Sequence, residues 1–232
     1  MKKKDYANIM ENYVFSFYLT YILLFTTATI TFIEAIRTKI PYVQHIMNLE
    51  TCISLIGGFF YSIFNEKVTT YDKYNTQSNG VNWKEITQLR YIDWACTTPI
   101  MLLVLSLVLS FNSKTKIKFH WFALSVFFNY LMLYIGYLGE TEKLERITAD
   151  ILGFGAFFIT FGTIFVQYVL PRYNFDNYLI FGLYVIIWSI YGIAYNFDEI
   201  NKNIITNYLD LTSKCLIGIG LWIYYTKIIK LM

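Results

Sequence analysis

Seven apolar segments, each about as long as a bilayer is thick, recur along the 232-residue chain. A membrane-spanning helix needs about 20 apolar residues to cross the hydrocarbon core. Charged residues make up only 15% of the chain, against about a quarter in water-soluble domains. The segments cover residues 13–33, 42–65, 95–113, 119–139, 151–171, 177–197 and 203–226. The sequence therefore predicts an all-α membrane protein, a bundle of seven transmembrane helices.

The connections between these segments are short. Pro41 predicts the start of the second helix and Pro171 the end of the fifth, because proline suits a first turn but cannot continue a helix. The longest connection, at about residues 66–84, contains Ser78-Asn79-Gly80, a turn signal that would close a short hairpin. We expect one seven-helix domain over residues 1–232, without a large domain outside the membrane.

The net charge and the cysteines argue against a nucleic-acid partner and against a metal site. A net charge of +3 is too small to indicate a nucleic-acid partner. Cys52, Cys96 and Cys215 match no zinc or disulfide spacing, so we expect no metal site. Basic residues are enriched in cytoplasmic loops, and here the loops on the two sides of the membrane carry similar numbers of them. We expect the amino terminus to be extracellular. The lipid bilayer is an expected partner, and a homo-oligomer is compatible with the sequence.

Few charges remain at membrane depth, and the third helix holds two of them on one face. Arg90, Asp93 and Thr97 follow one another at intervals of three and four residues, so they share a helix face. A charge inside the bilayer costs at least a few kcal/mol on insertion scales, and such residues are candidates for function. We therefore treat this face as part of a functional site.

The seventh helix carries the matching face. Asp210 and Lys214 are four residues apart, and Asn203 and Asn207 extend the same stripe. One interpretation is structural, with Lys214 and Arg90 forming ion pairs that hold helices together. The other is a lysine that forms a Schiff base with an aldehyde, with two carboxylates as counterions and a guanidinium completing a neutral cluster. The residues alone leave both interpretations open.

The motifs around these charges resemble those of microbial (type I) rhodopsins. Four helices carry them in the family's order: Arg-Tyr-x-Asp-Trp-x-x-Thr-Thr-Pro from Arg90 to Pro99, Asn129-x-x-Met132-x-x-x-Gly136, Trp188-x-x-Tyr191 and Asp210-x-x-x-Lys214. The glutamate in the second helix, Glu50, and the asparagines of the seventh, Asn203 and Asn207, form a pattern similar to that of the rhodopsins of giant algal viruses. One branch of that group is associated with light-gated cation conduction.

The resemblance implies all-trans retinal bound covalently to Lys214 as a protonated Schiff base. It implies Asp93 as primary counterion and proton acceptor, Thr97 as its hydrogen-bond partner, and Asp210 as second counterion, with Arg90 balancing the charge. The implied retinal pocket consists of Trp94, Thr98, Met101, Met132, Gly136, Trp188 and Tyr191. For single aromatic residues, lipid-facing or core packing is the alternative interpretation.

Several positions depart from the pattern of outward proton pumps in this family. Val104 stands where those pumps carry a carboxylate that reloads the Schiff base, and Asn129 replaces an acid paired with a threonine. Gly192 replaces a helix-kinking proline. Asp198 and Glu199 precede the seventh helix, where they are interpreted as solvated loop charges or as acids for proton release.

Other polar side chains at membrane depth predict a path for ions. Ser16, Glu50, Asn203 and Asn207 would be costly facing lipid and acceptable facing a hydrated cavity, although hydrogen bonding between helices also explains them. We expect a photoreceptor rather than an enzyme, first a light-gated cation channel and alternatively a light-driven outward proton pump. A signalling photosensor and a retinal-free transporter are the remaining hypotheses.

Overall fold

The computed structural model describes residues 3–74 and 81–226, with side chains over 12–68 and 81–226. Seven helices follow one another: α1 Lys3–Arg37, α2 Pro41–Tyr74, α3 Trp83–Ser113, α4 Phe119–Glu140, α5 Arg146–Ile164 with a π-helical end Phe165–Val169, α6 Phe175–Ala194, and α7. The last helix runs as Glu199–Asp210, a π-helical segment Leu211–Leu216, and Ile217–Thr226. The fold is the predicted all-α bundle.

The helix boundaries differ from the apolar segments mainly at their ends. The helix α2 begins at Pro41 as predicted, but it continues to Tyr74, well into the region predicted as a long connection. The predicted hairpin turn at residues 78–80 lies outside the described residues. The end of α5 at Val169 agrees with the prediction from Pro171. The helices are longer than the apolar segments because backbone hydrogen bonding continues where the side chains become polar.

Six of the described helices, α1 to α6, are long and apolar enough to cross a membrane on length and composition alone. The seventh carries the polar stripe, which lowers its apolarity, but at 1.5 Å per residue its residues 199–226 extend about 40 Å. Large apolar side chains such as Phe15, Ile22, Phe127 and Phe158 are exposed on the outside of the bundle. The protein is a multi-pass integral membrane protein whose helices face the lipid bilayer.

Two apolar cores lie above and below the middle of α7. We call the end of the bundle near residue 12 the amino-terminal side and the end near residue 226 the carboxy-terminal side. One core, with Tyr13, Phe17 and Phe64, fills the amino-terminal side. The other contains Leu102, Leu105 and further residues of the second half of α3. The polar residues of the predicted site lie between these cores.

Candidate functional site

The Lys214 amine lies in the middle of the bundle, between two carboxylates. Its Nζ is 2.6 Å from Oδ2 of Asp93 and 3.8 Å from Oδ1 of Asp210. All three side chains are at most 1% exposed. The lysine stands in the π-helical segment Leu211–Leu216 of α7, and such irregular turns are frequent at functional sites. The predicted lysine and both predicted carboxylates therefore meet at one point.

Asp93 has few partners besides the lysine. The Thr97 hydroxyl, one turn further along α3, donates to the backbone carbonyl of Asp93 at 2.8 Å and lies 3.5 Å from its Oδ1. The helix therefore presents Asp93 and Thr97 on one face, as their spacing predicted.

Asp210 is held by three hydrogen-bond donors. The Tyr61 and Tyr191 hydroxyls donate to its two oxygens at 2.8 and 2.7 Å, and the Trp94 indole nitrogen lies 3.3 Å from Oδ1. Hydrogen bonds from several donors stabilise a carboxylate in its charged form. Asp210 is thus held at both oxygens, whereas Asp93 is held mainly by Lys214.

Arg90 completes the charge balance on the amino-terminal side of the lysine. Its Nη1 is 3.5 Å from Oδ2 of Asp210, and its Nε and Nη2 donate to the amide oxygens of Asn203 and Asn207 at 2.9 and 2.5 Å. Two positive and two negative side chains sum to zero, which a low-dielectric interior tolerates far better than a net charge.

Aromatic rings around Arg90 were not predicted from the sequence. The guanidinium lies 5.2 Å from the ring centre of Phe17 and 5.0 Å from that of Phe64, within the range of cation–π attraction. Tyr61, also 5.8 Å from the guanidinium, was likewise missed. Aromatic residues form 20% of this chain, so nothing in the sequence distinguishes these three.

The four residues predicted to line an ion path do not form one group. Asn207 donates to the Ser16 hydroxyl at 2.8 Å, so it joins Asn203 and Ser16 to Arg90 on the amino-terminal side. Glu50 lies elsewhere, against Gly218, where a Cβ added to that glycine would stand 2.8 Å from Oε2. Gly218 follows Lys214 by one turn, so Glu50 lies on the carboxy-terminal side of the lysine.

A cavity of about 150 Å³ extends from the lysine into the bundle. All eight residues predicted to hold a chromophore line it: Trp94, Thr98, Met101, Met132, Gly136, Trp188, Tyr191 and Lys214. Phe154, Phe157 and Gly192 also line it and were not predicted as pocket residues. Its walls are largely aromatic and apolar, and they include the primary amine of Lys214. This lining suits an extended apolar aldehyde.

Two glycines shape this cavity by their lack of a side chain. A Cβ on Gly136 would stand 2.8 Å from the Tyr91 hydroxyl, and one on Gly192 only 2.5 Å from Cζ of Phe154. Asn129, where the family pattern has an acid, donates to the Thr98 hydroxyl at 2.8 Å and is fully buried. The amide therefore keeps the link between α3 and α4 without a charge.

Asp198 lies outside the membrane-spanning part and caps the start of α7. Its side chain accepts hydrogen bonds from the Asn201 side chain at 2.7 Å and from the Asn201 backbone at 3.1 Å. These bonds hold the pKa of the Asp198 carboxyl below its ordinary value. The exposed Asp198 thus has a structural role in the cap, while Glu199 forms an ion pair with Lys202 at 2.9 Å.

Comparison with known proteins agrees with this geometry. The profile of the family described as bacteriorhodopsin-like proteins matches residues 12–228. The chain belongs to this family of microbial rhodopsins. The family binds retinal, and its members are photoreceptors, pumps and channels rather than enzymes. The cavity and its lysine fit that cofactor.

This rhodopsin is similar to several individual rhodopsins. The crystal structure of viral rhodopsin OLPVRII is 41% identical, covers 94% of this chain and 99% of its own, and superposes with a TM-score of 0.85. The blue light-absorbing proteorhodopsin from Med12, 20% identical with a TM-score of 0.71 over 93% of this chain and 97% of its own, shares the fold. A green-light absorbing proteorhodopsin from Gamma-proteobacterium EBAC31A08 is 27% identical over 156 residues, 59% of this chain and 60% of that relative.

Proposed function

We propose that Lys214 holds all-trans retinal as a protonated Schiff base and that, after illumination, Asp93 accepts the proton from Lys214 Nζ. Retinal, when bound, supplies a light-driven isomerisation. The observation that carries the proposal is the 2.6 Å contact between Lys214 Nζ and Asp93 Oδ2 beside a largely apolar cavity that Lys214 lines. This distance is within direct proton-transfer range.

Asp93 suits the role of acceptor better than Asp210. Three hydrogen-bond donors and Arg90 already occupy the oxygens of Asp210, so a proton placed there would displace one of these interactions. Asp93 loses mainly its interaction with Lys214 when it takes up the proton. A proton leaving the lysine therefore moves to Asp93 on α3.

The position of Glu50 supports transport of a proton through the bundle rather than an exchange between Lys214 and Asp93 alone. Glu50, Gly57 and Tyr61 are seven and four residues apart, so they share one face of α2. A Cβ on Gly57 would stand 3.4 Å from Cδ of Lys214, and Tyr61 contacts Asp210. At 1.5 Å per residue, Glu50 stands about 10 Å beyond the lysine towards the carboxy-terminal side.

This arrangement supports light-driven proton transport as the first candidate function. Arg90 and Asn207 continue a polar route from the acceptor Asp93 towards the amino-terminal side. Glu50, buried on the opposite side, is positioned to return a proton to Lys214. Protons would then move towards the amino-terminal side, which is outward with an extracellular amino terminus.

A light-gated cation channel is the second candidate, and it was the first expectation from the sequence. Val104 is buried and apolar where a reloading acid stands in related pumps. The hydrogen-bonded residues Ser16, Asn203 and Asn207 offer uncharged oxygens that could replace water around a cation. A channel would need the apolar core at Leu102 and Leu105 to hydrate in the light.

Photocurrents under voltage clamp distinguish the two candidates. We expect a current of one sign that persists against a proton gradient, and a current that reverses with the cation gradient would instead select the channel. Glu50→Gln should slow reprotonation of the lysine, since it removes the ionisable side chain that is buried on the carboxy-terminal side. Thr51→Val, which removes a neighbouring hydroxyl bonded to Thr31, is the matched control.

A further inference from the structure

A cluster of charged side chains joins the three helices α4, α5 and α7 at the amino-terminal side of the bundle. Lys202 of α7 lies 3.0 and 2.9 Å from the two carboxylate oxygens of Glu140, at the end of α4. The side chains of Lys202 and Glu140 are only 9% and 7% exposed. Sixty-two residues separate the two in sequence, so their pairing is a product of the fold.

Further partners keep each member of this ion pair in position. Glu199 of α7 contacts Lys202 at 2.9 Å, and Arg146 of α5 contacts Glu140 at 3.4 Å. The same guanidinium donates to the backbone carbonyl of Tyr195 at 2.7 Å and lies 4.8 Å from the centre of its ring. Because Lys202 and Glu140 each have a second partner, neutralising one leaves the other paired.

The ion pair lines the amino-terminal end of the cavity that also contains Lys214. Glu140, Lys202 and Thr87 line this end, next to Arg90. Asn203, the neighbour of Lys202 in α7, accepts the hydrogen bond from the Arg90 Nε. The Lys202–Glu140 pair therefore lines the cavity between Arg90 and the amino-terminal side.

We infer that the Lys202–Glu140 ion pair is the gate of the cavity at the amino-terminal side. With the pair closed, the space around Arg90 and Lys214 is shut off from water on that side. Separation of the two charges would connect it to the outside. The inference that a transported ion passes this gate rests on the proposed function. The inference that the pair keeps small solutes out requires only that retinal is bound.

Hydroxylamine tests the barrier directly, because this small polar molecule releases retinal from a lysine imine as the oxime. We expect Glu140→Gln and Lys202→Gln each to speed dark bleaching of the pigment at least tenfold. The matched control is Lys67→Gln, which breaks the exposed Lys67–Glu85 pair at 2.5 Å and should leave the rate unchanged.

Lys202→Arg keeps a positive charge between Glu140 and Glu199 and should bleach at close to the wild-type rate. Equal bleaching rates in the wild-type pigment and both glutamine variants would overturn the gate. So would a glutamine variant whose faster bleaching is matched by Lys67→Gln. The photocurrent result does not enter this comparison, so a failure of the transport proposal is seen separately. If neither glutamine variant forms pigment, Glu140→Asp, which keeps the charge but shortens its reach towards Lys202, takes their place: bleaching faster than in Lys67→Gln supports the gate, and an equal rate overturns it.

Discussion

Replacing Arg90 with glutamine removes one of two positive charges from a buried group of four. At the observed 3.5 Å between Arg90 Nη1 and Asp210 Oδ2, the attraction is about 5 kcal/mol for an effective dielectric constant of about 20. Leaving one member of a buried ion pair alone typically costs about 3–5 kcal/mol. We therefore expect Arg90→Gln to lower the free energy of unfolding by about 3–5 kcal/mol.

Denaturant titration of the purified pigment, followed by loss of helical circular dichroism, measures this change. If the loss comes from uncompensated charge, Asp210→Asn in the same chain should recover part of it. The double variant should then lose about 2 kcal/mol less than the sum of the single losses. Strictly additive losses would refute the charge-balance explanation. Lys67→Gln, at a partly exposed pair, should change stability by no more than about 1 kcal/mol.

Three further substitutions test separate parts of the structure. Tyr61→Phe removes a hydroxyl that donates at 2.8 Å to a buried carboxylate and should lower the free energy of unfolding by about 1.5–3 kcal/mol; equal stability would contradict this. Gly192→Ala places a Cβ 2.5 Å from Cζ of Phe154. The ring must then move within the cavity, so the visible absorption spectrum should shift. The control is Gly155→Ala, whose Cβ meets nothing within 4 Å and which should leave the spectrum unchanged. Asp198→Ala removes the cap of α7 at a loss of about 1 kcal/mol. Because hydrogen bonds lower the pKa of that carboxyl, its contribution is present above the unfolded pKa and disappears as the pH falls through the folded value. Stability curves of variant and wild type should therefore converge in acid.

The helices and the central charges were predictable because both leave periodic marks in the sequence. Apolar segments of bilayer length predicted seven helices, and the spacing from Arg90 to Thr97 predicted a shared face. The π-helical segment around Lys214 was not predictable, because a local change in backbone hydrogen bonding leaves the side-chain pattern almost unaltered. The extension of α2 to Tyr74 was missed because that part of the helix is polar.

The contacts that were missed are those between residues distant in sequence. Nothing in the local pattern joins Glu140 to Lys202, since each looks like an ordinary charge at a helix end. The division of the predicted ion path was missed for the same reason: only the fold puts Glu50 and Asn207 on opposite sides of Lys214. That division is why the geometry favours proton transport over the cation conduction first expected from the sequence.

Covalent attachment of retinal to Lys214 is the central claim, and mass spectrometry tests it most directly. The protein is reconstituted with all-trans retinal, the imine is reduced with borohydride, and the proteolytic peptides are analysed. The account predicts a visible pigment and a retinyl group on the peptide that contains Lys214, with both lost in Lys214→Ala. A pigment in Lys214→Ala, or a retinyl group on another lysine, would contradict it.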